Sequence, residues 1–213
     1  MNQTFNNLDP EKRERIINAA LQEFAENGYD KASTNQIVKN AGIGKGMLFY
    51  YFKNKRELCL YLINYGLEIS QKEFLEKVDI TQPDFIERLK QIAEIKSAYH
   101  QRNPNMLSFL GTMFFQDELE LPEDLQEKYD SMLLKRQTML YENINTSLFR
   151  DDIDREKAFK LIQWSMEGYQ NDLIMRIKYE NLHTFDVAPY WDEFYDYVAI
   201  LKTTFYKYGE GKA

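Results

Sequence analysis

The sequence predicts an all-α protein of about nine helices. Apolar residues recur at spacings of three and four along most of the chain, the repeat that lines one face of a helix. Alternating apolar and polar runs, the mark of half-buried strands, are scarce. The five prolines and nine glycines mostly punctuate the periodic stretches.

The chain of 213 residues is long enough to bury a core without covalent staples. Its 44% hydrophobic and 29% charged residues exclude a collagen, a disordered tail and a disulfide scaffold. The single cysteine, Cys59, rules out an intrachain disulfide and a thiolate zinc site. His100 and His183 lie far apart, against a histidine-rich metal site, and no metal or cofactor is expected. Met1 to Arg15 is polar, then charged, without the apolar core of a signal peptide, and no run approaches a membrane span. A cytoplasmic protein without a membrane partner is expected.

The first helix opens at Asp9-Pro10, an N-cap followed by proline at the first helical position. Ile17, Ala20, Leu21 and Phe24 form its inner stripe, and Asn27-Gly28 closes it. Ser33 starts a second helix, with Gln36 at capping-box spacing; Ile37 and Ala41 point inward, and Gly42 ends it. A short helix follows from about Lys45 to Tyr51. A fourth begins near Asn54, continues past Phe74 and reaches about Val78. Further helices are expected at about 84–101, 105–118, 123–148, 154–180 and 188–207, separated by polar, proline-bearing or acidic stretches.

Ser33 to Tyr51 therefore reads as helix, tight turn, short helix, the layout of a helix-turn-helix. At 100° per residue, Leu48 and Phe52 dock on Ile37 and Ala41, while Gly46 and Tyr50 face nearly opposite. Met47 and Phe49 flank that outer face, with Lys45 and Lys53 nearby. Such a face is a poor solvated surface and a plausible groove reader: cations and hydroxyls for phosphates, apolar groups for thymine methyls, glycine for close approach. Gly42 to Gly46 lacks the spacing and ending of a phosphate-binding loop, and no strand precedes it. The segment is also too short for a membrane-surface helix.

Charge is distributed to match. The chain carries net −7 overall, yet residues 1–58 carry +2 and the remainder −9. From Lys31 to Arg56 there are six cations and no acid. A basic module on an acidic body is what a polyanion-binding protein with a non-binding body looks like.

Residues 9–62 resemble the DNA-binding domain of the TetR family of bacterial transcriptional regulators. The pieces that carry the likeness are Ile16 to Ala20 with Phe24 and Gly28-Tyr29, Ser33 to Val38, Ala41-Gly42-Ile43, Lys45 to Phe52, and Lys53 to Leu58. They cover about a quarter of the chain. The resemblance implies a helix-turn-helix DNA-binding domain over residues 1–58 and a helical ligand-binding and dimerisation domain over 59–213. Thr34 would contact a phosphate. Lys45, Gly46, Met47 and Tyr50, flanked by Phe49, would enter the major groove, and Tyr51 would meet a phosphate. Lys55 would hold the DNA backbone on the far side. Three positions depart from the family's usual pattern: Gly44 for serine or threonine, Met47 for a small polar residue, and Phe49 for tyrosine.

In the body, Trp191, Phe194, Val198, Leu201 and Phe205 repeat at three and four, and Phe159, Ile162, Met166, Tyr169 and Leu173 make a similar seam in the preceding helix. With these as the dimer interface, two helices from each of two subunits would form a four-helix contact. Met106, Phe109, Met113 and Phe114, with Met139 and Trp164, supply large adaptable apolar groups for an effector pocket.

The expectation is a ligand-responsive repressor that binds a palindromic DNA operator as a homodimer and is released by a small-molecule effector. The competing reading is an all-helical small-molecule-binding protein or enzyme with a vestigial helix-turn-helix. Neither histidine sits in a nucleophile or metal motif, and the acidic groups lie at helix ends, so no catalytic residues are expected.

Overall fold

The computed structural model describes residues 3–116, 119–177 and 188–207. Among them are ten α-helices, two short 3₁₀ turns and no strand. The helices are α1 (Gln3–Asn6), α2 (Pro10–Lys31), α3 (Thr34–Ala41), α4 (Lys45–Tyr51), α5 (Lys55–Glu73), α6 (Phe85–Arg102), α7 (Pro104–Gln116), α8 (Glu123–Tyr141), α9 (Arg155–Ile177) and α10 (Ala188–Phe205). The all-α expectation holds. Residues 117–118 and 178–180, expected to be helical, lie outside the described residues, as does His183.

Four boundaries among α2 to α5 are set by local chemistry. The carboxylate of Asp9 accepts the Lys12 amide at 3.1 Å, with Pro10 in the first helical position. The Ser33 hydroxyl accepts the Gln36 amide at 3.4 Å, and the Asn54 side chain accepts the Glu57 amide at 2.9 Å. Each satisfies an otherwise orphaned donor of a first turn. Gly42 closes α3 at φ 65°, ψ 38°. Gly28 sits at φ 70°, ψ 176°, breaking α2 one turn before its end. A side chain there is strained whatever the space around it, so Gly28→Ala is expected to lower the unfolding free energy by about 1–3 kcal/mol in a urea titration. A loss under half a kcal/mol would contradict that assignment.

Besides α2, which continues past Gly28 to Lys31, the structure departs from the sequence reading at three places. An additional helix, α1, precedes Asp9. It is only four residues long and exists because Phe5 is fully buried. Helix α5 ends at Glu73 and a 3₁₀ turn at Leu75–Lys77 follows, so no continuous rod runs to Val78. Helix α8 stops at Tyr141, with Asn143 in the left-handed region at φ 59° and a 3₁₀ turn at Thr146–Leu148.

The end of α8 has an identifiable cause. Arg88 of α6 is fully buried, and its guanidinium donates to the carbonyls of Met139 (3.0 Å), Glu142 (2.6 Å), Ile80 (2.7 Å) and Gln82. A cation at a helix C-terminus is favoured by the helix dipole, and four carbonyls replace the water that Arg88 gave up. Nearby, Tyr206 donates to Asp84 at 2.6 Å, and Lys202 bridges Asp84 (3.1 Å) and Glu87 (2.7 Å).

By packing, the chain falls into two compact units. One comprises Met1–Lys77 and Ile95–Arg136, the other Val78–Glu94 and Gln137–Ala213. Packing thus divides the chain elsewhere than at the 58/59 boundary of expected roles. The core of the first unit holds Ile16, Phe24, Ile37, Leu48, Leu58 and Phe109. Phe85, Phe149, Ile162, Phe194 and Val198 anchor that of the second.

Candidate nucleic-acid interface

Helix α3 buries Ile37, Val38 and Ala41. Its approach is fixed by Glu23 of α2, a buried carboxylate that accepts the Ser33 amide at 2.8 Å. The αL turn at Gly42 then sends the chain into α4. That helix has seven residues, too few to be stable alone, so its orientation comes from packing. Leu48 and the C-capping Phe52 are both 1% exposed and tie α4 to the core.

The rest of α4 faces outward. Lys45 and Gly46 are exposed, Phe49 is on the surface, and Tyr50 is 72% exposed. Met47 is half-buried. A Cβ built on Gly46 meets nothing within 4 Å, so nothing in the chain itself requires glycine there. The Lys45 ammonium lies 5.9 Å from the Phe49 ring centre, within cation–π range. Lys31, Lys39, Lys53 and Arg56 are exposed, and Thr34 is half-buried at the start of α3. The Arg56 guanidinium also donates to the Glu120 carbonyl at 2.9 Å. Tyr51 is half-buried, its ring 5.5 Å from Phe5 and 5.2 Å from Tyr50.

Lys55 is half-buried at the start of α5. Its ammonium donates to the carbonyls of Tyr29 (2.7 Å), Asp30 (3.0 Å) and Ala32 (3.2 Å) and lies 4.8 Å from the Tyr29 ring centre. All three donors are thus committed to the end of α2, and a phosphate contact would have to displace one of them.

The side chains read as a subunit seam face their own core. Met166, Phe194 and Val198 are buried, and Phe159, Trp191, Leu201 and Phe205 pack on the same cluster half-buried. Phe159 lies 4.5 Å from Phe85 and 4.9 Å from Phe149, ring centre to ring centre. The opposite faces of these helices stay apolar in solvent: Leu161, Trp164 and Met175 on α9, Tyr197 and Ile200 on α10. Trp164 is 62% and Ile200 60% exposed. Leu161, Trp164, Gly168 and Met175 themselves keep a helical repeat, the signal in the sequence that could have found this face.

The residues read as pocket lining are divided between the two units. Met106, Phe109 and Met113 are buried in the first unit, and Phe114 stacks on Tyr129 with ring centres 3.8 Å apart. Met139 is buried within the second unit's segment, and Trp164 is on that unit's surface. Cys59 is buried, its sulfur 3.5 Å from that of Met113, and burial pushes its thiol up to about 12, as packing rather than reactivity requires. The Tyr99 hydroxyl is buried without a hydrogen-bond partner. Among the described residues no three His, Cys, Asp or Glu side chains cluster as metal ligands, and no helix is long and apolar enough to cross a membrane.

Residues 16–62, which span α3, α4 and the parts of α2 and α5 that hold them, match the family model described as bacterial regulatory proteins, tetR family. Over 174 residues the chain is 30% identical to the HTH-type transcriptional regulator SAB2452 of Staphylococcus aureus (strain bovine RF122 / ET3-1), an alignment covering 77% of this chain and 91% of that protein. A TetR family transcriptional regulator from Chloroflexus aurantiacus J-10-FL superposes with a TM-score of 0.69 at 24% identity, over 96% of this chain and 98% of that one. AibR, solved in complex with isovaleryl coenzyme A and operator DNA, superposes at 0.53 and 16% identity, over 73% and 83% of the two chains. At these identities the structural likenesses concern the fold.

Proposed function

The chain belongs to the TetR family of bacterial regulatory proteins, DNA-binding transcription regulators with a helix-turn-helix, and from that premise we propose that it is a dimeric repressor released from its operator by a small molecule. The observation that carries this reading is the outer face of α4. Lys45, Gly46 and Tyr50 are exposed beside exposed lysines, in a stretch without acids. In the major groove, Gly46 brings the helix backbone close to the bases, Met47 and Phe49 offer apolar contact to thymine methyls, and Tyr50 and Lys45 reach base edges or phosphate. Thr34 and Tyr51 would hold phosphates on either side. Lys55 serves this surface indirectly, by locking the end of α2 beneath it.

One seven-residue helix offers few contacts, so two copies must act together, with recognition helices about 34–36 Å apart on a palindromic site. The occupant proposed for the exposed α9–α10 face is therefore a second copy of this chain. Operator DNA places the working protein in the cytoplasm.

The proposed effector is largely apolar with at least one hydrogen-bond acceptor. Met106, Phe109, Met113 and Phe114 of α7 provide an adaptable apolar lining. The unpartnered Tyr99 hydroxyl in the same core would donate to the acceptor. The AibR complex, with both isovaleryl coenzyme A and operator DNA, supports a reading in which an acyl effector and a duplex bind one protein.

The test is a gel shift on duplexes selected from a random-sequence library, across a salt series. Lys45→Ala should bind more weakly on every sequence, and the slope of log affinity against log salt should fall by about one for each subunit on the DNA, about two for the dimer. If the parent binds no duplex in any salt, the reading fails; if Lys45→Ala keeps the full slope, Lys45 is not on the DNA.

A further inference from the structure

Helix α1 has no place in the helix-turn-helix motif, yet its packing converges on the recognition helix. Phe5 is fully buried. Its ring centre lies 5.5 Å from Tyr51, the last residue of α4, 4.8 Å from the capping Phe52, and 5.2 Å from Tyr61 of α5. The Tyr51 and Tyr61 contacts are edge-on, the arrangement aromatic rings prefer. Phe52 and Tyr61 also touch each other, at 5.3 Å. Phe5 is thus a wedge between the end of α4 and the second turn of α5.

Two hydrogen bonds hold the wedge in place. Arg13 of α2 donates to the Asn6 carbonyl at 2.8 Å, and the Tyr61 hydroxyl donates to the Asn6 side chain at 2.7 Å. Asn6 therefore joins α1 to both α2 and α5. A four-residue helix has no stability of its own, so its order comes from these contacts.

Tyr51 is where the consequence falls. It is half-buried, with Phe5 against one side of its ring and Tyr50 against another. Neighbouring rings on two sides restrict the rotamers of a ring, and the position of a tyrosine hydroxyl follows from its ring's rotamer. Without Phe5, the Tyr51 ring loses one of its walls and its hydroxyl is held less closely.

We propose that Phe5 is a positioning residue for DNA binding: from outside the helix-turn-helix it fixes the Tyr51 ring, and with it the hydroxyl that meets a phosphate. The inference rests on the assignment of α4 and Tyr51 to the DNA surface. Phe5 itself touches no nucleotide, so its effect passes through Tyr51.

The test uses the full chain and the random-library duplex most enriched by the parent. Affinity is measured for the parent, Phe5→Ala, Phe5→Leu, Tyr51→Phe and Phe5→Ala/Tyr51→Phe across a salt series, well below each melting midpoint. Phe5→Ala and Tyr51→Phe should each weaken binding by about tenfold per subunit, about 100-fold for the dimer, the loss of one hydrogen bond to a charged oxygen in each half-site. The double variant should bind no more than about twofold below Tyr51→Phe. The salt slope should stay at the parent value, because no cation leaves the DNA. Phe5→Leu keeps the pocket filled but offers no ring edge, and should bind between the parent and Phe5→Ala; it carries the test alone if the alanine variant does not fold.

Parent-like binding by folded Phe5→Leu and Phe5→Ala would overturn the proposal, as would parent-like binding by Tyr51→Phe. Multiplying losses in the double variant, or a reduced salt slope, would show that Phe5 supports α4 as a whole and would equally overturn it. A parent that binds no enriched duplex would instead remove the DNA surface on which the proposal stands.

Discussion

Replacing both Trp164 and Ile200 with glutamate is expected to yield folded monomers. Both side chains stand in solvent on one subunit, so the substitutions leave the core cluster untouched, and the melting midpoint should fall only by the concentration-dependent part that dimerisation supplies. A second copy pressed on this face would have to bury two carboxylates, which is prohibitive without partners. Duplex affinity should fall by about 100-fold or more, since the second half-site contact is no longer tethered to the first. Sedimentation velocity reads the mass directly. An unchanged dimer would remove the α9–α10 face from the interface. The companion variant Phe194→Glu/Val198→Glu separates the two faces of α10: both residues are buried, so it should unfold the second unit rather than produce a clean monomer.

Arg88→Met should be the most destabilising single substitution in the second unit. Methionine fills much of the volume but leaves four inward-facing carbonyls, of Ile80, Gln82, Met139 and Glu142, without a donor. Each unsatisfied buried group costs roughly 1–3 kcal/mol, and partial relaxation brings the expected loss to about 3–5 kcal/mol. Arg88→Lys keeps the charge but cannot span the same carbonyls, so its loss should be intermediate. Urea titrations of the three chains check the order. If Arg88→Met unfolds within 1 kcal/mol of the parent, those carbonyls find other partners and Arg88 is not what ends α8.

What was legible in the sequence was local. Asp9, Ser33 and Asn54 cap helices within three residues of themselves, and Gly28 and Gly42 mark backbone conformations that other residues avoid, so α2 to α5 could be placed from neighbours alone. The outward face of α4 followed from its period. What was not legible depended on distant partners. Helix α1 has no periodicity to show; it exists because Phe5 reaches Tyr51, Phe52 and Tyr61. The end of α8 is decided by Arg88, more than fifty residues earlier. Lys55 lies in a basic stretch and carries the charge expected of a phosphate ligand, yet three carbonyls more than twenty residues back take its donors. In α9 and α10 both faces are apolar, so spacing alone could not say which turns inward.

The outward face of α4 is tested most directly by one substitution. A side chain at Gly46 has open space in the protein, and leucine is a better helix former than glycine, so Gly46→Leu should melt at the parent temperature or above it. On the selected duplex that same side chain should hold α4 away from the bases and reduce affinity by about 100-fold or more, the loss of at least two base contacts. A Gly46→Leu chain that is stable and still binds the duplex like the parent would mean that this face never lies against DNA.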